Sequence, residues 1–339
     1  MAFLPLVSIV IPVYKTRDYL RECISSCIEQ TYKNIEVICI DDCSPDDSGA
    51  ICEELSRLDS RLIVKHLEQN VGLSGARNAG LDIARGDYVF FLDSDDFLSL
   101  DAVERCVRIL DKHPVDMILF NAEMFTPDRK FLALHGEPYD GLSGVALVAE
   151  SSFLPCYVNA PFCVFSVHFL NKNNIRFYLG IFNEDWEFMG HCCSLANDVY
   201  VLNEALYHYR WSVFGSISTV VSPRILDIFF VLERVKVYYK RSKLWPIMEF
   251  AHLYRALRHL LWICNDKCDL ISNYKITCKF IELFHSFLNS EDVHPLIMST
   301  VFLKFQRKER KVLYLAKNFP FLLKMRLLER AVRHRLRKS

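Results

Sequence analysis

The sequence has no long uninterrupted apolar run, although 51% of its 339 residues are hydrophobic. A membrane-spanning helix needs roughly 18 consecutive apolar residues. The first residues also lack the basic segment of a secretory signal peptide, and two prolines interrupt the apolar stretch 3–13. These absences predict a soluble or peripheral protein.

The 13 cysteines lack the regular spacing of a disulfide framework, and their number is odd. Cys23, Cys27 and Cys39 lie in apolar periodic segments, where a reduced cysteine acts as a small hydrophobic residue. Cys264 and Cys268 are four residues apart, but no second Cys/His pair with zinc-site spacing follows closely. We therefore expect reduced cysteines in the cytoplasm and no structural zinc.

The chain also has no excess of either charge: 41 Lys/Arg balance 41 Asp/Glu, so the formal net charge is zero. Residues 304–339 nevertheless carry 13 Lys/Arg and two Asp/Glu, so a basic tail follows an acidic body. The apolar residues that can share one helical face in this tail are Phe321, Leu322, Met325, Leu328 and Val332. Such a helix binds an anionic membrane surface or packs on the rest of the chain, and the sequence leaves both open.

Strand and helix patterns alternate over the first 120 residues. The strand patterns are Val7–Val13, Ile35–Ile40, Leu62–His66, Tyr88–Leu92 and Met117–Phe120. Such βαβ units predict an α/β fold with a mainly parallel sheet, whose ligands bind beyond the carboxyl ends of its strands. We therefore expect Asp41-Asp42 and the turn Asp93–Asp96 to open onto one crevice. From about Ile225 the pattern is mostly helical.

The turn Asp93-Ser94-Asp95-Asp96 places three carboxylates within four residues. Like charges in a crevice repel one another unless a cation neutralises them. Oxygen ligands suit Mg²⁺ or Mn²⁺, which would stabilise the charge growing on a diphosphate leaving group. Read alone, the turn fits equally well a solvated cap for the helix that begins near Ala102.

Six motifs in order resolve that ambiguity. They are VSIVIPVY, IDDCS, GLSGARNAG, GDYVFFLDSDD, GIFNEDWEF and YHYRWSVFGSIS. Together they resemble the family 2 glycosyltransferases over residues 6 to about 218. The resemblance implies a GT-A-type doubly wound, mainly parallel sheet in a catalytic domain of residues 1–220. Residues 221–339 would form a mostly helical extension ending in the basic tail.

The resemblance also implies residues that bind a nucleotide-sugar, here a UDP-sugar. The first-strand residues that would border the base and ribose are Pro12, Val13 and Tyr14. Asp42, with Asp41 beside it, matches the acidic residue that contacts uracil, although both also suit a helix-capping turn. Arg77 matches an arginine that faces the nucleotide, and an ordinary surface helix charge is the alternative.

Metal-binding residues follow from the same resemblance. Asp93 matches the residue that faces the ribose or the metal, and Ser94 belongs to the same donor-binding turn. Asp95 matches the main metal ligand, with Asp96 flanking it. His208 is a candidate metal ligand or a structural histidine, and Arg210 a candidate diphosphate contact or a surface ion pair.

The acid–base chemistry is expected from the segment 180–186. An inverting transfer needs a base for the proton of the acceptor hydroxyl. Asp185 matches the family's base, with Glu184 as its helper, and a helix N-terminus with favourable acids is the structural alternative. Many relatives have Asn at the position of Lys15 and Gly at that of Cys43, so the shape of these loops is open.

The resemblance predicts an enzyme of polysaccharide biosynthesis that transfers a sugar to a glycan or lipid-linked acceptor. We expect it in the cytoplasm, with the inner face of the cytoplasmic membrane as a candidate peripheral site. A nucleotidyltransferase is the alternative, but no glycine-rich phosphate loop follows the first strand. Nucleic acid is not an expected partner, because few aromatic residues accompany the basic tail.

Overall fold

The computed structural model describes residues 4–126, 131–135, 143–148, 159–211, 223–266 and 274–289, and a few single residues beyond them. The chain packs into two compact units. One comprises residues 1–180 and 184–216, and the other residues 181–183 and 217–339. The predicted boundary after residue 220 stays a prediction. The basic helical face proposed for residues 321–332 lies outside the described residues.

The first unit begins with four parallel strands joined by three helices. The strands are β1 (Val7–Val13), β2 (Ile35–Asp41), β3 (Leu62–His66) and β4 (Tyr88–Phe91), and the helices are α1 (Arg17–Ile28), α2 (Ser48–Ser56) and α3 (Gly72–Ile83). Strand β1 pairs in parallel with β2 and β4, and β2 with β3. All seven residues of β1 and of β2 are buried, as the continuous apolar runs predicted for a sheet covered on both faces.

The remaining strands widen this sheet and make it mixed. They are β5 (Phe97–Leu98), β6 (Met117–Phe125), β7 (Phe131–His135), β8 (Gly144–Leu147), β9 (Cys163–Ser166) and β10 (Asp198–Arg210). Along the sheet the order is β3-β2-β1-β4-β9-β6-β10-β5. Strand β9 lies antiparallel between β4 and β6, whereas β10 is parallel to β6. The predicted α/β class with a parallel core is confirmed, and the sequence missed the antiparallel additions.

Three further helices complete this unit: α4 (Ala102–Lys112), α5 (Val167–Lys172) and α6 (Glu184–Leu195). A cluster of aromatic rings packs beneath the carboxyl end of β4. Phe177 stacks on Phe188 with ring centroids 3.9 Å apart, and Phe91 meets both edge-on. This rigid apolar floor supports the side chains that follow β4.

The described residues of the second unit are largely helical, as the sequence predicted. The helices are α7 (Asp227–Arg241), α8 (Trp245–Asp266) and α9 (Tyr274–Leu288). Each buries an apolar face, with Val231, Leu257 and Phe284 among the residues removed from solvent. Among the described residues, none of the helices combines the length and the hydropathy that a membrane span requires.

Candidate active site

The turn Asp93–Asp96 follows β4 at the carboxyl end of the parallel strands, where the fold predicts a ligand site. The Asp96 amide donates to the Asp93 carbonyl at 3.0 Å and closes the turn. Ser94 and Asp96 are buried, whereas Asp93 and Asp95 are partly exposed. The turn therefore presents two of its three carboxylates toward solvent.

The guanidinium of Arg77, on α3, joins this turn to the acidic residues that begin α6. Its Nη2 donates to Asp93 Oδ1 at 2.7 Å. Its Nη1 donates to Asp185 Oδ1 at 2.6 Å and to Glu184 Oε1 at 3.2 Å. The Arg77 side chain is only 1% exposed and lies over the Phe177 ring. Three carboxylates predicted from two separate motifs thus meet at one buried cation, which a third motif supplies.

These ion pairs set the protonation of the group. Burial raises the pKa of Asp185 to about 7, and Arg77 opposes the shift while Glu184 and Asp93 add to it. Burial likewise raises the pKa of Glu184, again against the effect of Arg77. Burial by itself lowers the pKa of Arg77, but the three carboxylates outweigh it and raise the pKa above its ordinary value. Asp185 is therefore a carboxylate that can accept a proton near neutral pH.

The carboxylates of the turn repel one another. Burial, and then the charge of Asp93, raise the pKa of Asp95 to about 6. The pKa of Asp96 is raised well above its usual range by burial and by its two acidic neighbours. Within the described part of the chain, no side chain donates a hydrogen bond to the Asp95 carboxylate. Negative charge at Asp95 is thus incompletely compensated.

The first acidic pair, at the end of β2, is held by its own surroundings. Asp42 accepts from the backbone amides of Val71 at 2.7 Å and Gly72 at 2.8 Å, at the start of α3. Asp41 accepts from the Ser44 amide at 3.0 Å and meets His66 Nδ1 at 2.8 Å. Both aspartates are buried and shape their loops, and the expected uracil contact stays a prediction.

The end of β1 lies beside this pair. Val13 is buried and its carbonyl accepts from the Asp42 amide, and Pro12 is buried as well. The Tyr14 ring is 42% exposed. Lys15 and Cys43 adopt left-handed backbone conformations with φ of 57° and 56°. Asn and Gly tolerate this region best. The loops therefore have the shape expected with Asn at position 15 and Gly at position 43, although this chain has Lys and Cys there.

The structure gives His208 other partners than a metal. Its ring stacks on Phe97, Nε2 lies 3.0 Å from Ser99 Oγ, and Nδ1 lies 3.6 Å from Glu123. No group of three or more His, Cys, Asp or Glu in the described residues is arranged to hold a metal by itself. These contacts fit the structural alternative, and the predicted ligand role of His208 stays a prediction.

Arg210 is also occupied. Its Nε donates to the Asp95 carbonyl at 2.8 Å, and its Nη2 donates to Glu22 at 2.7 Å. Its guanidinium lies over the rings of Tyr19 and Phe125. These partners hold the guanidinium against the turn, and the predicted diphosphate contact stays a prediction.

Comparison with known proteins decides the family. The model of Glycosyl transferase family 2 matches residues 8–186, slightly more than half of the chain and all of the residues that meet at Arg77. The chain belongs to this family.

Curated relatives match this family 2 chain over only part of their own length. It is 28% identical over 325 residues, 93% of the chain and 44% of the relative, to Glycosyltransferase GlyA of Streptococcus pneumoniae. It is 42% identical over 106 residues, 31% of the chain and 42% of the relative, to the Putative teichuronic acid biosynthesis glycosyltransferase TuaG of Bacillus subtilis. The matched regions thus span less than half of either relative.

Two solved structures share the fold. Residues 1–349 of S. aureus TarS, solved in complex with UDP and with UDP-GlcNAc, match with a TM-score of 0.71 at 22% identity, over 95% of this chain and 90% of that chain. The mannosyltransferase PcManGT of Pyrobaculum calidifontis, in complex with GDP-Man and Mn²⁺, matches with a TM-score of 0.55 at 14% identity, over 99% and 89%. The GT-A architecture expected of this family 2 chain is confirmed.

A divalent cation fits the acidic turn of this family 2 chain. Mg²⁺ and Mn²⁺ sites commonly use one or two protein carboxylates and complete their coordination with substrate phosphates and water. The Asp95 carboxylate accepts no hydrogen bond from any described side chain, and Asp93 lies close enough to raise its pKa, although the charge of Arg210 opposes that rise. The donor set is therefore suited to a cation that arrives with a diphosphate.

Two residues at the site escaped the sequence reasoning. Tyr207 donates to Asp96 Oδ2 at 2.6 Å, and Glu22 holds Arg210. Attention went to His208 because imidazole is a common metal ligand, but successive side chains of a strand point to opposite faces. Placing YHYR on a strand paired with β5 would have directed attention to Tyr207. Glu22 carries no motif signal.

Proposed function

We propose that this chain is an inverting glycosyltransferase that moves a sugar from a UDP-sugar to a hydroxyl of a glycan or lipid-linked acceptor. The observation that carries the proposal is the Arg77 bridge. One buried guanidinium ties Asp93, in the turn that would hold the donor, to Asp185, the candidate base. Donor binding and proton transfer would then share one preorganised centre.

In this reaction Asp185 takes the proton of the acceptor hydroxyl. The acceptor oxygen bonds to the anomeric carbon, the bond from that carbon to the phosphate oxygen breaks, and its electron pair leaves with UDP. Glu184 assists by sharing the Arg77 cation, which keeps the two carboxylates oriented. A raised pKa suits Asp185 to this task, because a base works best when its pKa is near the working pH.

Asp95, with Asp93 beside it, would hold Mn²⁺ or Mg²⁺, and the cation would supply neutralisation of the diphosphate charge. The remaining donor contacts are proposed for the exposed Tyr14, with Pro12 and Val13 bordering the base and ribose, and for Asp41, Asp42 and Ser94. The fold shared with UDP complexes of TarS supports a uridine nucleotide.

The acceptor and location are proposals that rest on relatives. The name of TuaG concerns teichuronic acid biosynthesis, which supports a cell-surface polysaccharide as the acceptor class. We propose residues 1–220 as the catalytic domain and residues 221–339 as a helical region. The basic tail would bring the chain to the cytoplasmic face of the membrane, where lipid-linked acceptors lie.

A screen of UDP-, GDP- and dTDP-sugars tests the proposal. Thermal unfolding of the purified chain is measured with each donor, with Mn²⁺ and with EDTA. We expect the largest rise of the midpoint with a UDP-sugar and Mn²⁺, and no rise for the same donor in EDTA. Equal midpoints for every donor would contradict the proposal, and a clear preference for GDP or dTDP would contradict the uridine assignment.

A further inference from the structure

Strand β10 holds the acidic turn from the side away from Arg77. The Tyr207 hydroxyl accepts a hydrogen bond from the Asp93 amide at 3.2 Å and donates one to Asp96 Oδ2 at 2.6 Å. The Arg210 amide donates to the other oxygen of Asp96 at 2.7 Å. One phenol therefore connects the first and last residues of a four-residue turn.

The Arg210 side chain adds a fourth bond to the same turn. Its Nε donates to the Asp95 carbonyl, so the peptide that carries the proposed metal ligand is bonded directly. Glu22 and the rings of Tyr19 and Phe125 fix the guanidinium that makes this bond. Because every partner is on β10, β6 or α1, the position of the turn is set by regular elements and not by a loop.

The strand pairing makes the attachment firm. The turn ends in β5, and β5 pairs with β10 through Phe97 with His208 and Leu98 with Tyr207. Both sides of the turn are thus anchored, to β4 before it and to β10 after it. Asp96 is 2% exposed, and burying a carboxylate is costly unless its oxygens are hydrogen-bonded. Asp96 is therefore placed to orient the turn and not to bind a ligand.

We infer that Tyr207 is a positioning residue that, through Asp96 and together with Arg210, holds Asp93 and Asp95 in the arrangement that receives the donor diphosphate and its cation. The inference rests on the proposed function of the turn. Tyr207 touches neither donor nor acceptor in this account. It acts through the backbone between Asp93 and Asp96.

Tyr207→Phe tests the inference with the least disturbance. The substitution keeps the ring, which packs edge-on against Phe162, and removes the hydroxyl that bonds Asp93 and Asp96. The matched control is Tyr32→Phe. The Tyr32 hydroxyl donates to the Pro5 carbonyl at 2.7 Å, close to the length of the Tyr207 bond, but at the amino end of the parallel strands.

Binding of UDP is measured by calorimetry at several Mn²⁺ concentrations, alongside thermal unfolding and the KM and kcat of transfer. For Tyr207→Phe we expect UDP affinity in Mn²⁺ to fall about tenfold, the Mn²⁺ requirement to rise, and kcat at saturating donor and metal to change less than KM. One hydrogen bond to a charged group accounts for a change of this size. Tyr32→Phe should lower the unfolding midpoint and leave UDP affinity unchanged.

An equal effect of the two substitutions on UDP affinity, or unchanged affinity in Tyr207→Phe, would overturn the inference. If Tyr207→Phe does not fold, Glu22→Gln takes its place. This change weakens the anchor of Arg210 from outside the turn and should weaken UDP affinity in the same direction, by about two- to fivefold. A wild-type chain that does not bind UDP with Mn²⁺ would instead contradict the proposed function itself.

Discussion

Two acidic turns stand at the carboxyl ends of β2 and β4, the parallel strands that flank β1, and they are held in different ways. After β2, Asp42 accepts two backbone amide bonds, and Asp41 is bonded to an amide and to His66. After β4, the turn is bonded by side chains of α3 and β10, and its Asp95 carboxylate receives none of these bonds. The first turn builds a loop, whereas the second holds charge in place.

The two turns are connected through α3. Asp42 fixes the residues at which this helix begins, and Arg77, one and a half turns later, reaches Asp93. The same residue type therefore serves two purposes at equivalent strand ends. Where donors surround a carboxylate, it stabilises the fold, and where they do not, its charge is left for a ligand.

One substitution in each turn separates the two turns, and the change at Asp95 gives the largest effect that we expect on transfer. Asp95→Ala should reduce transfer at least about 10³-fold, because several kcal/mol of charge stabilisation is lost. Its unfolding midpoint should stay level or rise, since like charge next to Asp93 and Asp96 is removed. Asp42→Asn should instead lower stability by about 2 kcal/mol and keep most of kcat at saturating donor. Transfer rates and thermal unfolding of both variants check this. Loss of stability in Asp95→Ala together with loss of transfer in Asp42→Asn would contradict the roles assigned to the two turns.

Arg77 contacts the second turn and not the carboxylates of the first, so its replacement sharpens the contrast. A lysine keeps the charge but has no fork to reach Asp93 on one side and Asp185 on the other. We expect Arg77→Lys to reduce kcat roughly 10- to 100-fold, by the loss of one charged hydrogen bond. Single-turnover rates at saturating donor are the measurement. Lys65→Arg, at an exposed position, is the control and should keep the wild-type rate. A rate within twofold of wild type in Arg77→Lys would refute the bridge.

The pH dependence of kcat/KM tests the charge assigned to Asp185, which Arg77 joins to the second turn. The pKa of Asp185 is raised to about 7, so below that pH the base is protonated and inactive. We expect kcat/KM for the acceptor to rise with pH up to about 7 and to fall about tenfold for each pH unit below it. A profile that stays flat from pH 5 to 8 would rule out a base with a pKa near 7.

The smallest effect is expected at His66, beside the first turn. Its bond to Asp41 raises the pKa of His66 above its ordinary value. Because the folded-state pKa is the higher one, the stabilisation is complete below the unfolded value of about 6.5 and is lost as pH rises through the folded value. His66→Ala should therefore lower the unfolding midpoint more at pH 6 than at pH 9. An equal loss at both, or a similar loss in Lys65→Ala, would contradict this.

The sequence predicted the parallel half of the sheet and the location of both acidic turns, because apolar runs and turn residues are local signals. Each of β1 to β4 appeared as a run ending in polar residues. The short antiparallel strands β5, β7, β8 and β9 are set by pairing with distant residues, which periodicity does not reveal. The left-handed conformations at Lys15 and Cys43 were hidden because neither residue type favours them.

Site residues were identified by type, but their partners were not. The motif order indicated Arg77, Asp93 and Asp185. It did not show that the Arg77 guanidinium bonds to the other two, because Arg77 and Asp185 are about a hundred positions apart in the chain. The sequence left Arg210 open between a diphosphate contact and an ion pair, and tertiary packing places its guanidinium on Asp95 and Glu22. Tyr207 was missed because the pairing of its strand with β5, which would have directed attention to it, joins residues about a hundred positions apart.

The central claim is that the Asp93–Asp96 turn holds the donor and Asp185 performs the proton chemistry. Calorimetric titration of UDP in Mn²⁺ against wild type, Asp95→Ala and Asp185→Asn tests it most directly. The account predicts metal-dependent binding to wild type, the loss of that binding in Asp95→Ala, and near-normal binding to an Asp185→Asn variant whose transfer rate has fallen by about 10²–10⁴-fold. Wild-type affinity for UDP in Asp95→Ala, or full transfer by Asp185→Asn, would contradict it.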